Sequence, residues 1–84
     1  MNIENLILNQ LMWACRRGML ELDILFQRYL AHGYPQASPD ERTQFIALLT
    51  CGDQDLFDWL MGKRDADPEH REMVRKVQQV KVSD

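Results

Sequence analysis

The sequence has few of the residues and patterns that mark metalloproteins and disulfide-rich proteins. Two of its 84 residues are cysteines and two are histidines. Cys15 and Cys51 form no Cys-x-x-Cys pair, and neither His32 nor His70 has a neighbouring ligand at metal spacing. We therefore expect no metal site and no disulfide framework. Both cysteines lie in apolar helical stretches, which predicts reduced and mostly buried thiols.

Signals for a membrane, for nucleic acid and for catalysis are also missing. No apolar run approaches the roughly 20 residues of a membrane span, and residues 1–5 lack the basic character of a leader, so we expect no membrane insertion and a cytoplasmic protein. The net charge of −3 offers no clustered positive field for a phosphate backbone. Neither a glycine-rich phosphate loop nor a recognisable nucleophile is present, which predicts a protein that is not an enzyme.

The apolar residues, 45% of the chain, recur at helical spacing. They predict an all-α fold: a single domain over residues 1–84, built as a bundle of five short helices. The predicted core positions follow in chain order: Ile3, Leu6, Ile7, Leu11, Ala14; Met19, Leu22, Phe26, Tyr29, Leu30; Phe45, Leu48, Leu49; Leu56, Phe57, Leu60; Met73, Val74, Val77, Val80.

Helix boundaries are predicted from glycine, proline and short polar residues. The first helix is expected to run into Arg16 and Arg17 and to stop at a left-handed Gly18, whereas Gly33, Gly52 and Gly62 end the next three. The segment Ser38-Pro39-Asp40-Glu41 is typical of a capping box, and Asp53 is expected to cap the fourth helix. The fifth is expected from about residue 67, weakly packed and fraying near Val82.

The corner between the first two helices has two interpretations. Arg17 and Glu21 suit the adjoining helix ends electrostatically, and Gly18 suits the turn, which is a purely structural role. Alternatively, the tight turn holds a guanidinium and a carboxylate as a preorganised polar hook for another protein. Residue types and spacing alone leave both interpretations open.

The same corner carries a family resemblance. Arg17-Gly18-Met19-Leu20-Glu21, within the longer segment 16–23, matches the Arg-Gly-x-x-Glu signature of the FAD assembly factors of succinate dehydrogenase, which include bacterial SdhE and mitochondrial succinate dehydrogenase assembly factor 2. Asp55-Leu56-Phe57-Asp58-Trp59-Leu60-Met61-Gly62 resembles the second block of that family. The resemblance covers residues 11–62.

The resemblance implies a function. Such proteins bind the flavoprotein subunit of succinate dehydrogenase, and in bacteria that of the related fumarate reductase, and promote covalent attachment of FAD to it. We therefore expect a bacterial, monomeric assembly factor that binds no cofactor stably, with FAD held in the partner. The implied partner-binding residues are Arg16, Arg17, Gly18, Met19, Glu21 and Asp23. Trp13 and Trp59 lie either at the interface or in the core.

Two other functions compete with this hypothesis. Relatives of the family have also been described as antitoxin-like partners of a small membrane toxin, although the corner has no evident task in that role. A helix, a tight glycine turn and a second helix also superficially resemble a DNA-binding helix-turn-helix. The acidic balance and the apolar second helix argue against DNA binding.

Overall fold

A computed structural model describes the backbone of residues 3–80 and the side chains of residues 9–80. This part of the chain contains five α-helices and one short 3₁₀ turn, with no strand, and the predicted all-α fold is confirmed. None of its helices has the length and apolar character needed to cross a membrane. The elements are α1 (Ile3–Ala14), α2 (Leu20–His32), the 3₁₀ turn (Tyr34–Gln36), α3 (Pro39–Leu49), α4 (Asp53–Leu60) and α5 (Arg71–Gln79).

The helices enclose one hydrophobic core, and α2 lies at its centre. Helix α2 packs against α1, α4, α5 and the 3₁₀ turn. The Phe45 ring of α3 lies 4.6 Å from the Tyr29 ring, 6.1 Å from Phe26 and 6.0 Å from Tyr34, measured between centroids. Most predicted core residues after position 10 are buried, whereas Ala14 is exposed. Ile3, Leu6, Ile7 and Val82 lie outside the residues whose side chains are described.

Three predicted helix boundaries are wrong, because the local backbone conformation differs from the expected one. Helix α1 ends at Ala14, since the Arg16 amide donates to Trp13 O at 3.1 Å and the chain then leaves the helical path. Gly52, in extended conformation, is the N-cap of α4, and Asp53 is its first helical residue. Helix α5 begins at Arg71, because residues 68–70 form a turn.

Helix α5 packs more closely than its thin apolar stripe suggested. Met73, Val74 and Val77 are buried, and the helix contacts α2, α3 and α4. The Gln78 side-chain amide donates to the carbonyls of Trp59 at 3.3 Å and Leu60 at 3.0 Å. These carbonyls belong to the last turn of α4, where backbone acceptors lack helical partners. A polar residue thus joins the ends of two helices.

Glu41 links three helices instead of closing a capping box. Ser38 accepts a hydrogen bond from the Glu41 amide at 3.2 Å, which confirms the N-cap. The Glu41 carboxylate accepts from the Tyr29 hydroxyl of α2 at 2.5 Å and the Lys76 ammonium of α5 at 2.7 Å. The Lys76 contact, followed by that of Tyr29, holds the pKa of Glu41 below its ordinary value.

This carboxylate predicts an acid-sensitive contribution to stability. The folded pKa of Glu41 lies below an unfolded value near 4.5, so its stabilisation is present above that pH and is lost as the pH falls through the folded pKa. We expect Glu41→Gln to lower the free energy of unfolding by about 1–2 kcal/mol at pH 7. The loss should shrink in acid. Denaturant unfolding between pH 3 and 7 measures it.

Glu72→Gln is the matched control. The Glu72 carboxylate also faces Lys76, at 3.9 Å, but is exposed, so its loss should change stability by less than about 0.5 kcal/mol. An equal pH dependence for the two variants would contradict the role assigned to Glu41.

Gly33 is required by packing. A Cβ at this position would lie 2.6 Å from two atoms of the Tyr29 ring and 3.2 Å from Val80. Because that ring is buried against Phe45 and its hydroxyl is bonded to Glu41, it has little freedom to move aside.

We expect Gly33→Ala to lower the free energy of unfolding by about 1–3 kcal/mol through overpacking. The backbone of Gly33 has φ −104°, which an alanine tolerates. Gly52→Ser is the control, since a Cβ there meets nothing within 4 Å, its φ is −69°, and serine is a favoured residue at the N-cap that Gly52 occupies. Thermal unfolding measures the stability of both variants, and equal losses of stability would exclude the steric explanation.

Candidate functional site

Residues 15–19 form the turn between α1 and α2, and its path depends on one backbone conformation and one hydrogen bond. Gly18 has φ +76°, the left-handed conformation predicted for it. A Cβ there would meet no atom within 4 Å, so the requirement for glycine is conformational rather than steric. The Arg17 amide donates to the Asp23 carboxylate at 2.7 Å. Asp23, in the first turn of α2, therefore holds the turn against the helix that follows it.

The Arg17 side chain points back toward the protein. Its guanidinium donates to the Leu49 carbonyl, at the end of α3, and to the Asp53 carboxylate at 3.3 Å, at the start of α4. The side chain is 16% exposed, and its Nε is shielded from solvent without an acceptor among residues 9–80. We predicted that this cation complements the end of α1. In the structure it complements the end of α3, since α1 has already ended at Ala14.

The other face of the corner is open to solvent and largely apolar. Trp13 is 72% exposed, Leu20 is 70% exposed, and Ile24 lies one turn after Leu20 on the same face of α2. Glu21 is exposed, and its carboxylate accepts no hydrogen bond from residues 9–80. The Arg16 guanidinium lies over the Trp13 ring, 5.3 Å from its centroid. We call these five residues, Trp13, Arg16, Leu20, Glu21 and Ile24, the corner surface.

The structure therefore divides the predicted site residues into two groups. Arg16, Gly18 and Glu21 are exposed. Trp13 is exposed as well, so of its two predicted alternatives, interface or core, the core is wrong. Met19 is half-buried against the core, and Arg17 and Asp23 are also half-buried.

Trp59 belongs to neither group. It is 3% exposed, with its ring stacked on His70 at 5.8 Å between centroids. The structure thus places Trp59 in the core, and the alternative of an exposed contact is wrong.

Leu20 and Ile24 were not predicted as site residues. Leu20 lies inside the signature without a predicted role, and Ile24 is absent from the predicted core positions. A signal was present: α2 has apolar residues on two faces, whereas its core needs the one that carries Leu22 and Phe26. Two exposed apolar residues that are neighbours on one helix face, as Leu20 and Ile24 are, indicate a contact surface better than a single one does.

The thiols are poorly suited to nucleophilic chemistry. Burial raises the pKa of Cys15 to about 11, so this thiol is protonated at neutral pH. The Cys51 sulfur lies 3.4 Å from His70 Nε2, and partial burial again raises its pKa. Among residues 9–80, no three His, Cys, Asp or Glu side chains cluster as metal ligands. The corner surface, in contrast, has the mixed apolar and charged character of protein contacts.

Comparison with known proteins covers the corner and most of the helices. A family model described as flavinator of succinate dehydrogenase matches residues 9–81. The FAD assembly factor SdhE of Idiomarina loihiensis is 48% identical over 67 residues, which are 79% of this chain and 74% of that protein. The protein of the same name in Shewanella oneidensis is 50% identical over 66 residues, which are 77% of this chain and 80% of that protein. The FAD assembly factor SdhE of Pseudomonas putida is 43% identical over 74 residues, which are 87% of this chain and 88% of that protein. The chain belongs to the family of succinate dehydrogenase flavinators, the FAD assembly factors.

Proposed function

We propose that this protein binds the flavoprotein subunit of succinate dehydrogenase and promotes covalent attachment of FAD to that subunit. Membership of the flavinator family supports the reaction. The exposure of Leu20 and Glu21 within the family signature, and of Trp13 on the helix that precedes it, carries the proposal for the binding surface. The flavoprotein subunit of fumarate reductase is a second proposed partner, to which FAD is attached in the same way. The proposed compartment is the cytoplasm.

The corner surface defines what the partner must present. Trp13 and Leu20 need an apolar recess, because exposed rings and aliphatic side chains contribute mainly by leaving water. Glu21 needs a cation or a pair of N–H donors. Tryptophan and arginine are the residue types most often found at energetic centres of interfaces, and Trp13 and Arg16 lie together here. Binding therefore depends on a small number of side chains.

The proposed mechanism is selection of a partner conformation. FAD is held by the partner, and this chain binds no cofactor stably. A binder shifts a conformational equilibrium by its difference in affinity for the two states. A preference of about 3 kcal/mol for the state in which a histidine of the partner and the flavin are aligned raises its population relative to the other state about a hundredfold. The histidine and the flavin then react in the partner, and the assembly factor acts as a monomer without catalysing a step with its own residues.

Two substitutions on the corner surface test this function. We expect Trp13→Ala and Glu21→Ala each to weaken binding to the purified flavoprotein subunit by about 1–2 kcal/mol, or roughly five- to thirtyfold. Covalent flavin, measured as fluorescence of the denatured subunit after incubation with FAD, should form more slowly in proportion. Neither substitution should lower the free energy of unfolding by more than about 0.5 kcal/mol, since both side chains are exposed.

Gln44→Ala, at an exposed polar position on α3, is the control and should bind and flavinylate as the wild type does. Wild-type protein that neither binds the subunit nor accelerates flavinylation would refute the function. Wild-type activity retained by both corner variants would refute the surface while leaving the family function intact.

A further inference from the structure

We infer that Arg17 is a positioning residue: its guanidinium ties the α1–α2 turn to the junction of α3 and α4, and so orients the corner surface without itself contacting the partner. The inference rests on the proposed function and assigns different tasks to Arg17 and Glu21, the two charged residues of one signature. Four observations support it.

The first observation is where the guanidinium is used. It donates to the carbonyl of Leu49, the last residue of α3, and to the carboxylate of Asp53, the first residue of α4. The final carbonyls of a helix have no intrahelical donors and favour a cation, and the first turn of a helix favours a carboxylate. One side chain thus joins three features of the fold: the α1–α2 turn, the end of α3 and the beginning of α4.

The second observation is solvent access. The Arg17 side chain is 16% exposed and its Nε is shielded from solvent. A guanidinium that reached a partner would have to leave the Leu49 carbonyl and the Asp53 carboxylate first, and the Leu49 carbonyl would then need another donor. Glu21 meets no such obstacle, since it is exposed and accepts no hydrogen bond from residues 9–80.

The third observation is the path of the backbone. The Arg17 amide is held by Asp23, and Gly18 follows in the left-handed conformation. Arg17 is therefore fixed at both its main chain and its side chain, in the middle of the turn that separates Trp13 from Leu20. Its place therefore affects how α1 is oriented relative to α2.

The fourth observation is how α1 is attached. The described contacts of α1 are chiefly with α2, and Leu11 is the buried residue among residues 9–14, followed by the buried Cys15 just after the helix. Trp13 lies on the exposed side of this same helix. Because Arg17 follows α1 after only two residues, an additional tie at Arg17 has a direct effect on where Trp13 stands. A surface that is already in its binding geometry loses less entropy on association.

The inference predicts a kinetic difference between Arg17→Ala and Glu21→Ala. Removing an orienting residue lowers the fraction of molecules that are competent to bind, which slows association with the flavoprotein subunit. Removing a contact acts mainly on dissociation. We expect Arg17→Ala to slow association roughly tenfold with dissociation nearly unchanged, and Glu21→Ala to accelerate dissociation. Surface-immobilised subunit and stopped-flow mixing both separate the two rates.

Substitutions of Asp53 test the contact between the α1–α2 turn and α4 while leaving Arg17 itself unchanged. Asp53→Ala removes one of the two acceptors and should slow association roughly two- to fivefold, the range of an exposed ion pair. The double variant Arg17→Ala/Asp53→Ala should associate no more slowly than Arg17→Ala, because both changes break one tie. Asp53→Glu, which keeps a carboxylate, should restore most of the rate. Asp55→Ala is the matched control: it removes another carboxylate from the first turn of α4, one that pairs with Arg64 at 2.5 Å.

Amide hydrogen exchange of residues 15–19 reports on the tie without any partner. Exchange should accelerate at least threefold in Arg17→Ala and Asp53→Ala, and stay unchanged in Glu21→Ala and Asp55→Ala. The inference is overturned if Arg17→Ala leaves this exchange unchanged and accelerates dissociation as Glu21→Ala does, or if Asp53→Ala associates as the wild type does. Failure of the wild type to bind the subunit would instead refute the proposed function, and the exchange measurement would still decide whether Arg17 holds the turn.

Discussion

A single cation lies between two helix ends, and the exposed corner of this molecule depends on it. The Arg17 guanidinium meets the last carbonyl of α3 and the first carboxylate of α4, while its own amide is held from α2. Backbone groups at helix ends need partners, and a short bundle has many such ends for its size. The same requirement that stabilises the fold therefore gives the α1–α2 turn a defined position.

Other polar side chains join helix ends or helix sides in the same manner. Gln78 donates to the final carbonyls of α4, and Glu41 joins α2 to α5 through Tyr29 and Lys76. In each case a polar group near the core has a partner from a different helix. Such contacts contribute modest stability individually, but they specify one arrangement of helices that could pack in several ways. A small core of aliphatic and aromatic residues needs this additional specification.

The family signature combines residues with opposite orientations. Arg17 and Asp23 turn inward and are used within the chain, whereas Glu21 and the neighbouring Leu20 face solvent. Gly18, in the left-handed conformation, lies in the turn between Arg17 and the three residues of α2. The supports of the corner surface are thus contacts within the chain, which favours a rigid surface. Rigidity suits a protein whose proposed task is to prefer one conformation of a larger partner.

The sequence was sufficient for the fold class and for most of the core, because helical periodicity and glycine or proline stops are local signals. Phe26, Tyr29, Phe45 and Leu48 were predicted as core residues from spacing alone, and all four are buried. The left-handed Gly18 followed from its place after an apolar helix. The corner was also identified from the sequence, through its charged residues and its family signature.

Tertiary structure alone decided which residues of that corner are available to a partner. The helical periodicity of α1 and α2 carries no information about where Leu49 and Asp53 lie. Both residues are distant from Arg17 in sequence, and both accept hydrogen bonds from its guanidinium. It likewise left the two tryptophans unresolved, and packing then buried Trp59 and exposed Trp13. Burial depends on which helices lie against a given face, and that is a property of the assembled bundle rather than of any one segment.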